Sequence, residues 1–162
     1  MPQWLSLRHL TEADAGVMAG VLSDVSLYRF TGGEPPSEEE LVRRYSSQVR
    51  GFSPDGSDVW INYIVVLDAE PIGYVQAAIP VGGDVAEVAW VIGRPWQGNG
   101  YARRAAQILV EELDRRGVRV VMAHIHPNHT ASQCIAEGLG MAPTGDIVDG
   151  EMRWVGDVRA PR

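Results

Sequence analysis

No lysine occurs anywhere in the 162 residues, so all 14 side chains counted as Lys or Arg are arginine. That absence excludes P-loop nucleotide chemistry, whose lysine reaches the terminal phosphates. It also excludes Schiff-base and pyridoxal-phosphate chemistry, which needs a lysine amine. Cysteine is nearly missing: Cys134 stands alone, so no internal disulfide can form and a reducing cytoplasm suits the chain. No apolar run approaches the roughly 20 residues of a membrane span. Met1 to Leu10 lacks the cationic start and apolar stretch of a secretory signal, so neither membrane nor export is expected. Positive charge is also short. A net charge of −7 argues against nucleic acid as a partner, because phosphate contacts need clustered cations. It favours a cationic partner such as an amine. Repeats, linkers and low-complexity tracts are absent, and residues 1–162 read as a single domain large enough for a real core.

What is present points to one turn. Val85 to Ile92 is an apolar run ended by Gly93-Arg94-Pro95, which reads as a strand and its stop. Beyond Gln97-Gly98-Asn99-Gly100-Tyr101-Ala102, the residues Ala102, Ala105, Ala106, Leu109 and Leu113 recur at helical spacing. The glycines therefore stand between a strand and a helix start. Glycine there lets main chain approach a ligand closely, and the first helical N–H groups have no partners of their own. A phosphate-bearing ligand is the expectation. The dinucleotide fingerprint does not fit, because Arg103 occupies its third glycine position and the next strand ends in His124 and His126 instead of an acidic residue.

Alternation and capping signals set out the other elements. Trp4 to Arg8 alternates as a strand, and Thr11 caps a helix to about Ser23 with Asp14 in its first turn. Ser37 caps a second helix that runs to about Arg50 and stops at Gly51. Trp60–Leu67 and Ile72–Ile79 form a hairpin across Asp68-Ala69-Glu70-Pro71. A long helix covers about Asn99 to Arg116, followed by a strand from Arg119 to Ile125 and a helix from Thr130 to Leu139. Two strands near Met141–Val148 and Met152–Val158 turn at Asp149-Gly150.

Gln97-x-x-Gly100-x-Ala102 resembles the Q/R-x-x-G-x-G/A pyrophosphate loop of the GNAT superfamily of acetyl-CoA-dependent N-acetyltransferases. The string from Ala86-Glu87-Val88-Ala89-Trp90-Val91-Ile92 to Ala102 is similar to the strand-loop-helix of the ribosomal-protein (RimJ/RimL-type) branch. So is a second block, His126-Pro127-Asn128-His129-Thr130-Ala131-Ser132 with Ala136-Glu137-Gly138-Leu139-Gly140-Met141. The resemblance implies an α/β (α+β) GNAT fold in the order β-α-α-β-β-β-α-β-α-β-β, a mostly antiparallel sheet of seven strands flanked by four helices. It implies acetyl-CoA as donor and a primary amine as acceptor, either a protein N-terminus or a small molecule. A non-catalytic CoA-binding module is the rival from another class, and a homodimer is compatible with both.

Acetyl transfer to an amine requires a held donor, a deprotonated amine, a stabilised oxyanion and a leaving thiolate that finds a proton. The family's pattern assigns the diphosphate to Gln97 through Ala102, with Arg103 and Arg104 either reaching it or forming a solvated face. It assigns the pantetheine arm to main chain at Trp90, Val91 and Ile92, where the fourth strand splays from the fifth. Glu87 matches the family's acidic position and is the candidate base. Within an apolar strand its carboxylate would be desolvated and ready to take a proton, directly or through water; the alternative is an ordinary strand-edge glutamate. The tyrosine acid of many members is replaced by Ala136, and the branch instead implies Ser132, a residue that otherwise satisfies first-turn backbone. His129 stands where an asparagine bonds the pantetheine amide, and Asn128 is its substitute. Tyr28, Phe30 and Trp60 are candidates to line the acceptor pocket. No metal is expected, since no carboxylate or cysteine accompanies His124, His126 and His129. Cys134 is expected to pack in the core.

Overall fold

A computed structural model of the chain describes residues 3–160. Its strands are β1 (Leu5–His9), β2 (Asp58–Leu67), β3 (Glu70–Pro80), β4 (Val85–Ile92), β5 (Val120–Ile125), β6 (Ala142–Val148) and β7 (Glu151–Asp157). They form one sheet in the order β1-β2-β3-β4-β5-β7-β6, antiparallel throughout except between β4 and β5. The helices are α1 (Ala15–Val21), α2 (Glu38–Gln48), α3 (Tyr101–Arg115) and α4 (Thr130–Gly138). The mixed α/β architecture and its element order are those expected. Among the described residues, no helix is long and apolar enough to cross a membrane.

Each sheet face is covered by its own helices. Ala105, Ala106, Leu109, Val110 and Leu113 form the buried stripe of α3 against one face. Paired alanines bring that helix close to the strands, and burying Leu109 or Leu113 contributes roughly 2 kcal/mol each. On the other face Met18, Leu41 and Tyr45 from α1 and α2 pack around Ile64 of β2. The first helix departs from expectation at both ends. It opens as a 3-10 turn at Glu12–Asp14 and stops at Val21, and Gly16 and Gly20 weaken the helix between. Asp14 holds the entry: its carboxylate takes the Thr11 N–H at 2.8 Å and two bonds from the Arg8 guanidinium at 2.9 and 3.1 Å. Burial alone would raise the Asp14 carboxyl, but the Arg8 and Thr11 bonds hold it below the ordinary value.

Two residues, not four, make the β2–β3 turn. Asp68 and Ala69 both adopt left-handed φ, 48° and 71°, as hairpin turns that match strand twist require. No glycine marks the place, and β3 begins at Glu70, two residues before the apolar run indicated. Cys134 is exposed and not packed in the core. The buried residue of α4 is Ala136, and Cys134 lies two residues, about 200°, round the helix from it.

One irregularity sets up the site. β4 and β5 pair over only three rows, from Val85↔Val120 to Glu87↔Met122. Beyond Glu87 the two strands part, and the sheet opens into a wedge between Val88–Ile92 and Ala123–Ile125.

Candidate active site

The glycine turn presents a row of unpaired donors. Gly98 and Gly100 adopt φ of 83° and 79°, and Gly100 is the left-handed N-cap of α3. A Cβ on either would meet no atom within 4 Å, so the space in front is open. The first helical bond is Arg104 N–H to Gly100 O, 3.1 Å. Among the described residues nothing accepts from the N–H groups of Gly98 to Arg103, which thus add to the positive end of the α3 dipole. Gln97 and Asn99 shape this turn from within. The Gln97 amide donates to Ile92 O at 2.9 Å, and the Asn99 amide donates to Trp96 O and Gln97 O at 3.1 and 3.3 Å. The Tyr101 hydroxyl donates to Gln3, and Ala102 packs on the core. Arg103 lies along α4, its guanidinium 3.0–3.3 Å from where a Gly138 Cβ would stand, while Arg104 is exposed.

The wedge sorts the three main-chain candidates. Gly93 N–H bonds Ile72 O at 2.8 Å across the Ile92↔Gly73 row. Alternation then directs the N–H and C=O of Val91 and Ala89 to β3, and those of Trp90 and Ile92 into the opening. The Ile92 carbonyl is taken by Gln97, which leaves the Ile92 N–H and both main-chain groups of Trp90 facing the gap. Val91 is turned away.

Glu87 sits at the vertex of the wedge, on the face shared by Ala89, Val91 and His124. Its carboxylate is half exposed, so the expected desolvation inside an apolar strand is not there. What distinguishes it is a 2.9 Å hydrogen bond between Oε1 and His124 Nδ1. No local pattern in the sequence pairs His124 with Glu87, 37 residues away. The pairing needs the β4–β5 register, which places His124 one step past Met122 on Glu87's face. Both residues line a cleft of about 420 Å³ together with Trp60, Asn62, Gln76 and Thr31. Of the three aromatic candidates, Trp60 alone lines this cleft. Tyr28 donates to Leu22 O at 2.9 Å, and Phe30 stacks on His129 and His126 with ring centroids 4.6 and 5.2 Å apart.

Ser132 stands across the opening from β4. His129 N-caps α4: its Nδ1 accepts the Ser132 N–H at 3.2 Å, while its Nε2 lies 3.3 Å from Ser132 Oγ. The Trp90 indole N–H reaches the same oxygen at 3.3 Å. Burial, with the charge of His126, pushes the His129 imidazole below its ordinary 6.5 and keeps it neutral. An accepting Nδ1 puts the proton on Nε2, so two N–H groups point at Ser132 Oγ and its own hydroxyl proton is left to donate. His129 therefore positions Ser132, a different task from the pantetheine contact expected of it. Asn128 is exposed, its N–H bonded to His126 Nδ1 at 3.0 Å. The three histidines do not converge, since His124 faces Glu87 while the other two stack on Phe30.

No curated protein matches the chain in sequence. Solved structures do match in fold. An aminoglycoside acetyltransferase AAC(6')-Ib in complex with coenzyme A aligns over 95% of both chains, with 20% identity and a TM-score of 0.77. An acetyltransferase from Thermus thermophilus aligns over 94% of this chain and 96% of its own, at 23% identity and TM-score 0.79. A chimera of the spermidine N-acetyltransferase SpeG from Vibrio cholerae and hSSAT aligns over 95% of each chain at 18% identity and TM-score 0.78. At such identities the likeness establishes the fold. The sequence model of the acetyltransferase (GNAT) domain matches residues 5–142, which span the wedge, the glycine turn and α4. The chain belongs to the GNAT acetyltransferase domain family.

Proposed function

We propose that the chain transfers an acetyl group from acetyl-CoA to a primary amine by direct attack. The observation that carries this reading is the alignment of three features along one path: the unpaired N–H groups of Gly98–Arg103, the opening beyond Glu87↔Met122, and Glu87 at its vertex. Acetyl-CoA supplies an activated acyl carbon on a long, phosphate-bearing arm. The glycine turn holds the diphosphate, because main-chain donors at a helix start suit an anion. The wedge takes the arm in place of a β5 partner, with the Trp90 main chain in reach and its N–H available to a developing oxyanion. Glu87 accepts the amine proton. If His124 donates to Oε1, Oε2 remains for the amine or for a bridging water. Ser132, held by His129 and Trp90, directs its O–H toward the departing sulfur. The motif strings resemble those of the ribosomal-protein branch, which supports reading the chain as one of its members, and the exposed free thiol of Cys134 fits a reducing cytoplasm.

Glu87→Gln tests the reading. The amide keeps shape and packing but cannot take a proton. Thiol release from acetyl-CoA with an amine panel is expected to fall by 10²–10⁴ in kcat, the usual size of general-base catalysis. The melting-temperature rise with acetyl-CoA should persist. Unchanged turnover in the variant removes Glu87 from the chemistry, and a wild type that acetylates no amine favours a binding module.

A further inference from the structure

Beyond Glu87 the cleft continues into a second cavity of about 240 Å³ between α2 and the β2–β3 pair. Gln48, Asn62 and Gln76 line both spaces, so the two adjoin across these side chains. The inner end is polar in a particular way. Arg44 is there, with no carboxylate within ion-pair distance among the described residues. Tyr45 and Tyr74 line the same space, and their hydroxyls have no hydrogen-bond partner in the described residues. Burial pushes the Tyr45 hydroxyl up to about 12 and raises Tyr74 as well, so both remain donors. Among the described residues the side-chain amides of Asn62, Gln76 and Gln48 also make no hydrogen bond.

We infer that this inner cavity receives the anionic tail of the acceptor, so that the substrate is an amine carrying a carboxylate and not a polyamine. The inference rests on the acetyl-transfer reading above and names its substrate class. Glu87 and Glu151 give the outer end its negative charge, which suits one ammonium. Arg44 with two tyrosine O–H donors gives the inner end a site for a carboxylate, and a second ammonium there would face an uncompensated guanidinium. The cationic partner favoured by the net charge of −7 is here a single amine, met at the outer end. Reach is set by the sheet. Gln76 stands opposite Ala89 near the vertex, and Tyr74 lies two residues along β3, about 7 Å further in.

The test is thiol release from acetyl-CoA with ω-amino carboxylates of increasing chain length, each beside the diamine and amino alcohol of equal length. A parallel arm uses short peptides with aspartate or with asparagine in the second position, to separate a small-molecule from a peptide source of the same chemistry. The best amino carboxylate, or the aspartate peptide, should exceed its matched cationic or neutral counterpart at least tenfold in kcat/KM, about 1.4 kcal/mol. Arg44→Gln should abolish that advantage, and Arg44→Glu should invert it. Arg44 is exposed on α2, and a retained melting-temperature rise with acetyl-CoA confirms that each variant is folded. Diamines that equal or outrun the amino carboxylates overturn the inference while leaving acetyl transfer intact, as does a preference that survives Arg44→Gln. Thiol release with no amine at all fails the acetyl-transfer reading, and the substrate class with it.

Discussion

Replacing His129 probes packing, capping and catalysis through one side chain. His129→Ala removes the acceptor for the Ser132 N–H, a capping loss of about 1 kcal/mol. It also removes the ring that packs on Phe30 at 4.6 Å, roughly 0.5–1 kcal/mol more. For a chain of this size the sum of about 1.5–2 kcal/mol lowers the melting temperature by roughly 3–8 °C. His129→Asn restores the cap but not the stacking, so it should lose about half as much. The pH dependence distinguishes these two terms from charge. The imidazole titrates lower in the folded chain than its ordinary 6.5, so the unfolded state binds the proton more readily. The stability from keeping His129 neutral is therefore fully present above 6.5 and is lost as pH falls from there through the depressed folded value. His129→Asn should flatten that stretch of the stability–pH curve. In turnover, both variants leave Ser132 Oγ with the Trp90 donor alone, and kcat should fall with little change in KM for acetyl-CoA. Scanning calorimetry across pH and thiol release measure these quantities. An alanine variant that melts with the wild type and turns over at the same rate refutes the capping and positioning roles together.

Other residues give simpler expectations. Ser132→Ala should lower kcat while leaving the melting temperature within about 1 °C, because the His129 cap bonds the backbone N–H and not the hydroxyl; a wild-type kcat removes Ser132 from the proton path. Ala69→Gly should raise the stability by about 0.5–1 kcal/mol in chemical denaturation, since alanine at φ 71° is strained and glycine is not; a loss would mean that unfolded-state entropy outweighs the strain. Cys134 should react with a thiol reagent in the native protein as fast as a small thiol does, and Cys134→Ser should retain full activity; protection without denaturant would contradict its exposure.

Legibility followed the range of each signal. The glycine turn, the α3 stripe and the Asp149-Gly150 turn depend on neighbours a few residues apart, and they stand where the sequence indicated. The Asp68–Ala69 turn was not legible because alanine carries no mark of left-handed φ. Cys134 was misplaced because α4 offers small residues on several faces, and only the packing of Ala136 and Leu139 shows which one is inside. The Glu87–His124 bond and the Arg44–Tyr45–Tyr74 cavity join residues from distant elements. Strand register and helix docking create them, and no local pattern announces either. His129 stands out in the sequence as a departure from the family's asparagine, but its task as the cap that holds Ser132 depends on how the His126–His129 turn folds back on α4.

The central claim is that the Gly98–Arg103 main chain binds the donor's diphosphate, and titration calorimetry of wild type and Gly100→Ala with coenzyme A tests it most directly. Wild type should bind with measurable heat and a raised melting temperature. The alanine variant, whose Cβ enters the open space before those N–H groups at an unfavourable φ of 79°, should bind at least tenfold more weakly while remaining folded. Absence of heat and of stabilisation with the folded wild type, or equal affinity in the variant, would contradict it.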